Sequence, residues 1–115
     1  VQGGSNIIKL RGRSSFQSPA YNAVKMIEAA MGGEEFTLPA GCYVNCEKCG
    51  FKNVMMAMPT KIDKTGVHFT QPTGTEEELA SLAKSYEHLC KMRDEIVELG
   101  IVPPVAEWTK MNPNL

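Results

Sequence analysis

The chain has 115 residues, a length that suits one small domain with a single core. Charged residues make up 22% of it and its formal net charge is −1, so nothing in the composition favours DNA, RNA or an anionic membrane as a partner. No apolar run approaches the ~20 residues that a membrane-spanning helix needs, and the first residues do not resemble a signal peptide. The composition therefore predicts a soluble, cytoplasmic single domain over residues 1–115 that binds neither nucleic acid nor membrane.

A basic, hydroxyl-rich turn near the N-terminus precedes a predicted amphipathic helix. The turn reads Arg-Gly-Arg-Ser-Ser over residues 11–15, and the short apolar run before it predicts either the end of a helix or a strand. Ser18 is a favourable N-cap and Pro19 suits the first helical position, while Gly32 and Gly33 predict the end of the helix. One face of this helix is expected to pack in the core, and its residues are Ala20, Ala23, Val24, Ile27, Ala30 and Met31.

Two predicted strands and a connecting turn come next. Residues 36–46 alternate weakly between apolar and polar, whereas residues 54–58 are apolar throughout and predict a strand covered on both faces. The polar connection between them contains Gly50, so the two strands are expected to form an antiparallel hairpin. Methionine-rich strands can form adaptable binding surfaces, but core packing is the favoured interpretation of this one.

The C-terminal third carries the strongest helix signal. Thr75 and Glu78 have the spacing of a capping box, and Gly100 marks the predicted end of the helix. The carboxylates at residues 76–78 are explained by the preference for negative charge at a helix N-terminus better than by catalysis. The helix is expected to pack through an apolar stripe formed by Leu79, Leu82, Ala83, Tyr86, Leu89, Cys90, Ile96 and Val97.

The order of these elements resembles the C-terminal, substrate-binding domain of NAD-dependent malate dehydrogenases in the lactate/malate dehydrogenase family. In that family a lysine or arginine, a glycine, and a serine or threonine precede an Ala-Tyr-bearing helix, as before Tyr21 here. A strand, a glycine-bearing turn, a second strand that ends in proline, as at Pro59, a further turn and a long helix follow. The resemblance covers residues 5–100 and implies an α+β fold with two main helices packed on a small antiparallel sheet.

The resemblance also implies the chemistry of the whole enzyme, which is the interconversion of malate and oxaloacetate with NAD in the tricarboxylic acid cycle by a homo-oligomer. In the family the catalytic histidine and aspartate and the substrate arginines belong to segments upstream of this one, and the chain has no dinucleotide-binding glycine fingerprint. His68 and His88 are best explained as surface residues, so no catalytic residue is assigned. The chain is therefore expected to be a C-terminal fragment, inactive alone and without bound NAD, whose partners are malate or oxaloacetate and its own N-terminal nucleotide-binding domain.

Within this chain the resemblance implies a small substrate site at the turn. Ser14 matches the serine or threonine that lines the family's substrate pocket, and Ser15 matches the adjacent small residue. Arg13 is assigned to the substrate because its charge favours a dicarboxylate. Pro19 occupies the position where many bacterial malate dehydrogenases place a methionine near the cofactor, and it is assigned to cofactor binding. The residues alone are also explained by a solvated turn.

The cysteines support an alternative function. Cys42, Cys46 and Cys49 have the spacing C-x3-C-x2-C, and Cys90 lies far along the chain. Two thiolates in one turn suit tetrahedral zinc, although a structural zinc site usually needs a second pair of ligands. The alternative is therefore a small zinc-binding or protein-interaction module. Reduced, unliganded cysteines are the favoured interpretation, and a disulfide is disfavoured in a cytosolic chain.

Overall fold

The structure is a computed structural model that describes residues 2–113. Its contacts divide the chain into two compact units, one containing the residues up to Thr37 with Lys61–His68, the other containing Leu38–Thr60 with the residues from Phe69 onward. The helices and small antiparallel sheets confirm the α+β fold class. The elements in chain order are α1 (Gly3–Arg11), α2 (Gln17–Ala30), β1 (Ala40–Cys46), β2 (Phe51–Met58), β3 (Thr60–Asp63), β4 (Gly66–Phe69), α3 (Glu76–Glu98) and α4 (Val105–Met111).

The first unit begins with two helices joined by a short turn. The apolar run before the turn is helical, and α1 ends because Gly12 adopts a left-handed φ of 71° and donates its N–H to the Ile8 carbonyl. The prediction that Ser18 caps α2 is wrong. The helix begins two residues earlier, with Phe16 as N-cap, and the Phe16 carbonyl accepts the Ala20 N–H at 3.0 Å. Pro19 is tolerated at the third helical position because the first N–H groups of a helix have no intrahelical partner.

The C-terminal end of α2 lies at the predicted glycine pair. Gly32 adopts a φ of 91°, and the Gly33 N–H donates to the Glu28 carbonyl at 2.9 Å. A Cβ atom at Gly33 would lie 2.7 Å from Glu28 Cγ and 3.0 Å from the Glu28 carbonyl oxygen. The close approach explains why the chain has glycine at this position.

The predicted core face of α2 is exposed, which corrects the sequence-based expectation. Val24, Ile27 and Met31 are 61%, 63% and 83% exposed, and the only buried residue of the helix is Ala29. The apolar stripe itself was identified correctly, but nothing in the described part of the chain buries it. Amphipathic spacing shows which face is apolar and does not show whether its partner belongs to the same chain.

Strands β3 and β4 form a second two-stranded sheet, and the chain before β1 contacts β3 at one bridge. Phe36 forms an isolated antiparallel bridge with Ile62, and both side chains are buried. The sequence pattern predicts a first strand from residue 36, but β1 begins at Ala40, because Pro39 lacks the N–H that a strand ladder needs.

The second unit contains the predicted hairpin of β1 and β2. The strands pair antiparallel from Ala40 opposite Met58 to Cys46 opposite Phe51, with an irregularity between Val44 and Cys46. One face packs against Leu82, Tyr86 and Leu89 of α3, and its buried residues are Cys42, Val44, Phe51, Val54, Met56 and Met58.

The second strand is not covered on both faces, which corrects another expectation. Side chains alternate across a strand, so Met56 and Met58 enter the core, whereas Met55, which precedes Met56, is 61% exposed on the opposite face. An apolar run can thus supply one core face and one exposed face. The predicted core packing is confirmed for Met56 and Met58 and wrong for Met55.

Helix α3 begins with the predicted capping box. Thr75 Oγ1 accepts the Glu78 N–H at 3.2 Å, and Glu78 Oε2 accepts the Thr75 N–H at 2.8 Å. The helix ends at Glu98, close to Gly100, whose φ is 70°. The predicted apolar stripe of α3 is only partly covered, and no residue of the helix is fully buried. Across residues 2–113 no helix combines the length and apolar character required to cross a bilayer.

Candidate functional site

The turn between α1 and α2 places two arginines around one aromatic ring. The guanidinium carbons of Arg11 and Arg13 lie 5.6 and 5.1 Å from the centroid of the Phe16 ring, within the range of cation–π attraction. Arg11 Nη1 also donates to Gln17 Oε1 at 3.3 Å. These contacts hold two cations beside the first residues of α2.

The start of α2 adds to this positive field. No side chain caps the helix and its first turn contains no acidic residue, so the positive end of the helix dipole is not compensated locally. Ser14 is exposed and Ser15 is half-buried in the preceding turn, next to Arg13. Together these groups suit a carboxylate or another anion, because they combine cations, hydroxyl donors and a helix N-terminus.

Four residues were expected at the site, and the structure places them along one short segment. Arg13, Ser14 and Ser15 lie in the turn, and Pro19 lies exposed in the first turn of α2. Their roles in substrate and cofactor binding stay predictions. Phe16 is a further residue of the turn that the sequence pattern did not single out, although its position between Arg13 and the helix start was an available signal.

Both histidines lie on the surface, as predicted. His68 is exposed on β4, with Nε2 at 2.8 Å from Thr65 Oγ1 and 3.7 Å from Asp63 Oδ1. The hydroxyl and amide hydrogen bonds of Thr65, together with nearby Lys61, lower the pKa of Asp63 to about 2. His88 is exposed on α3.

The cysteines are arranged differently from the expectation that they stay reduced. Cys46 and Cys49 form a disulfide across the β1–β2 turn, with their Cα atoms 5.3 Å apart. Cys42 is buried and its Sγ lies 3.6 Å from the Met56 carbonyl oxygen, and desolvation raises the pKa of its thiol. No group of three or more His, Cys, Asp or Glu side chains in residues 2–113 is placed to hold a metal ion, so the zinc alternative is not supported.

A cavity of 410 Å³ lies between the β1–β2 turn and α3. Its mostly apolar lining includes Cys49, Phe51, Leu82 and Tyr86, with Glu87 also present. No pattern in the sequence predicts this cavity. It is created by the packing of the hairpin against α3, and no local sequence signal specifies that gap.

Comparison with known proteins identifies the family. The sequence profile of the lactate/malate dehydrogenase α/β C-terminal domain matches residues 1–99. The chain is 35% identical over 88 residues to the malate dehydrogenase of Geobacillus kaustophilus. This alignment covers 75% of this chain and 28% of that protein. The chain is 30% identical over 96 residues to the malate dehydrogenase of Sorangium cellulosum, covering 83% of this chain and 30% of that one.

A more distant relative extends the same match. Malate dehydrogenase 2 of Aquifex aeolicus is 26% identical over 103 residues, covering 84% of this chain and 31% of that protein. The chain thus spans less than a third of the length of these relatives. With a profile match over most of its residues, the chain belongs to the lactate/malate dehydrogenase family, of which it contains the α/β C-terminal domain.

Proposed function

We propose that this chain forms the substrate side of the active site of a malate dehydrogenase that interconverts malate and oxaloacetate with NAD. The observation that carries the proposal is the basic, hydroxyl-bearing turn at the start of α2, inside residues 1–99, which match the family's C-terminal domain profile. Arg13 and the N-terminus of α2 supply positive charge for a dicarboxylate, and Ser14 supplies a hydroxyl donor.

In this role the chain binds and orients the substrate. A dicarboxylate held by its charges keeps its C2 atom in register with a hydride acceptor, which reduces the entropic cost of reaching the transition state. NAD supplies the hydride chemistry when it is bound. The exposed apolar ring of Pro19 can pack against part of a cofactor but cannot donate a backbone hydrogen bond, so its role is a van der Waals contact. The main nucleotide site is assigned to an N-terminal domain as partner.

Assembly with other surfaces forms part of the same proposal. Val24, Ile27 and Met31 make an exposed apolar stripe along α2, and contiguous apolar surface of this kind favours association. We assign this stripe to a homo-oligomer interface, because a second copy would present the same helix in a self-complementary contact.

The substrate assignment is tested in the full-length protein by Ser14→Ala. The loss of one hydrogen bond should reduce transition-state stabilisation by about 1 kcal/mol, which lowers kcat/KM for malate on the order of fivefold. His88→Ala is the matched control, because His88 is exposed on α3, and its activity should equal that of the unmodified protein. Equal and negligible changes in both variants would remove Ser14 from the site.

The need for a nucleotide-binding partner is tested separately with the 115-residue chain alone. It should show no malate-dependent reduction of NAD, because the catalytic histidine and the dinucleotide fingerprint are both expected outside it. Measurable turnover by the purified chain would contradict the assignment of these functions to another domain.

A further inference from the structure

The disulfide at the end of the β1–β2 hairpin has no role in the proposed dehydrogenase function. Cys46 and Cys49 are both half-buried, and the two residues between them, Glu47 and Lys48, are exposed. The two cysteines of the disulfide are only three positions apart in the sequence, so the loop that the bond closes is very short. A loop this short restricts the unfolded chain little, so the fold depends on the bond less than it would on a long-range disulfide.

The hairpin has other contacts that hold it together. The β1–β2 ladder extends to the pair of Cys46 with Phe51 and does not require the sulfur–sulfur bond. Phe51 is buried against Tyr86, whose hydroxyl accepts the Lys52 N–H at 3.2 Å. Reduction of the disulfide therefore leaves the strand pairing and the packing on α3 available to keep the unit folded.

We propose that the Cys46–Cys49 pair is a thiol–disulfide exchange site that accepts two electrons from a dithiol, with the first attack on Cys49. Two observations set this direction. The Cys49 N–H donates to Cys46 Sγ at 3.2 Å, so it can stabilise a thiolate that leaves from Cys46. Cys49 also lines the 410 Å³ cavity, which leaves room for a molecule attached to its sulfur.

The reaction balances in two steps. One thiolate of the dithiol attacks Cys49 Sγ, the Cys46–Cys49 bond breaks, and Cys46 leaves as a thiolate that takes up a proton. The second thiolate of the reductant then attacks the reductant's first sulfur, which is bonded to Cys49 in the mixed disulfide. This step expels the Cys49 thiolate, which is also protonated. The reductant loses two electrons and two protons and becomes a cyclic disulfide, and the chain gains two thiols.

The other two cysteines do not offer the same chemistry. Cys42 is buried beneath the sheet, where desolvation favours its neutral thiol over the reactive thiolate. Cys90 lies half-buried on α3 as a free cysteine. The variant Cys90→Ser removes the thiol of this half-buried cysteine, so that exchange at Cys46 and Cys49 can be measured without its contribution.

The direction of attack is tested by trapping the mixed disulfide in the native full-length protein. An excess of glutathione is added as a monothiol probe, the reaction is quenched in acid, free thiols are blocked with N-ethylmaleimide, and the protein is digested with trypsin. Lys48 separates the two cysteines, so cleavage after it places Cys49 on the peptide of residues 49–52. We expect at least fivefold more glutathione on this peptide than on Cys46. Equal or inverted labelling overturns attack at Cys49.

The two-electron exchange is tested with dithiothreitol on the folded protein, by counting maleimide-reactive thiols. Two thiols should appear together in the unmodified protein and in Cys90→Ser, and none in the Cys46→Ser/Cys49→Ser double variant. The far-ultraviolet circular dichroism spectrum of the unmodified protein should be unchanged after reduction. Thiols that appear only after denaturation, or unfolding that accompanies reduction, would make the bond structural and overturn the proposal.

A parallel arm replaces dithiothreitol with a thioredoxin-type protein dithiol at the same dithiol concentration. Reduction by either reagent supports the exchange site, and the faster reagent identifies a small or a protein reductant. Reduction by neither overturns the proposal. The readout is thiol content, so it is independent of dehydrogenase activity.

Discussion

The aromatic ring of Phe51 lies 4.9 Å from the ring of Tyr86, inclined at 45°. The contact joins the first residue of β2 to the middle of α3, and the Tyr86 hydroxyl strengthens it by accepting the N–H of the neighbouring Lys52. Tyr86 therefore contributes both a ring contact and a hydrogen bond to the packing of the hairpin on α3, beside the apolar contacts of Leu82 and Leu89.

Substitutions at Tyr86 should separate these two contributions. Tyr86→Phe removes the hydrogen bond and keeps the ring, so the free energy of unfolding should fall by about 1 kcal/mol. Tyr86→Ala also removes the ring packing and should lower it by about 3 kcal/mol. Denaturant unfolding measures both values, with His88→Ala as an exposed control from the same helix. Equal losses in the two Tyr86 variants would show that the ring contact adds nothing.

Asn53 has a left-handed backbone, with a φ of 53°, and its Oδ1 accepts the Tyr43 hydroxyl at 2.6 Å. Asn53→Gly and Asn53→Ala both remove that hydrogen bond, but only alanine resists the left-handed conformation. We expect the alanine variant to be less stable than the glycine variant by about 1 kcal/mol in the free energy of unfolding. If the two variants are equally stable, backbone strain does not contribute at this position of β2.

The Asp63 carboxyl should titrate near pH 2, well below its ordinary pKa of 3.8, because Thr65 donates from both its hydroxyl and its amide and Lys61 lies nearby. A lowered pKa in the folded state stabilises the fold above the ordinary value, and this contribution is lost as the pH falls from about 4 towards 2. An NMR titration of the carboxyl group measures the shift directly. Thr65→Ala should raise the pKa of Asp63, whereas an unchanged value would remove the hydroxyl as its main cause.

Association through α2 should appear in sedimentation of the 115-residue chain. The exposed Val24, Ile27 and Met31 favour a dimer or a higher assembly, and Val24→Glu should shift the chain towards monomer by placing a charge in the contact. Ala80→Glu adds the same charge at an exposed position of α3 and should leave assembly unchanged. A clean monomer of the unmodified chain at high concentration contradicts the interface. If a folded Val24→Glu variant still associates as strongly as the unmodified chain, the interface lies on another face.

Local chemistry predicted some elements well and others poorly. The capping box of Thr75 with Glu78 and the helix end at Gly32 and Gly33 involve groups within a few residues of one another, so the sequence contained the whole interaction. The start of α2 was placed at Ser18 because serine is a good cap, but the helix extends back to Gln17 without any side-chain cap. Propensity was a weak guide where several starts were acceptable.

Predictions that required knowledge of distant partners were less accurate. The apolar spacing of α2 was identified, but its exposure depends on whether anything covers Val24 and Ile27. For the same reason the apolar strand β2 was expected to be covered on both faces, although α3 packs on only one of them. The turn site at Arg13 and Ser14 was located through family resemblance, because hydroxyl and basic residues in a turn have no unique function of their own.

The chain contains a single tryptophan, and that residue lies on α4, beyond the part matched by the family profile. Trp108 donates from Nε1 to the Pro103 carbonyl at 2.8 Å, its ring lies 6.3 Å from the Tyr43 ring, and it lines a small apolar cavity with Met55 and Leu89. The intrinsic fluorescence of the chain is thus a local optical signal. A red shift in its emission reports the release of the C-terminal segment, and it can precede any loss of helical circular dichroism from the rest of the fold.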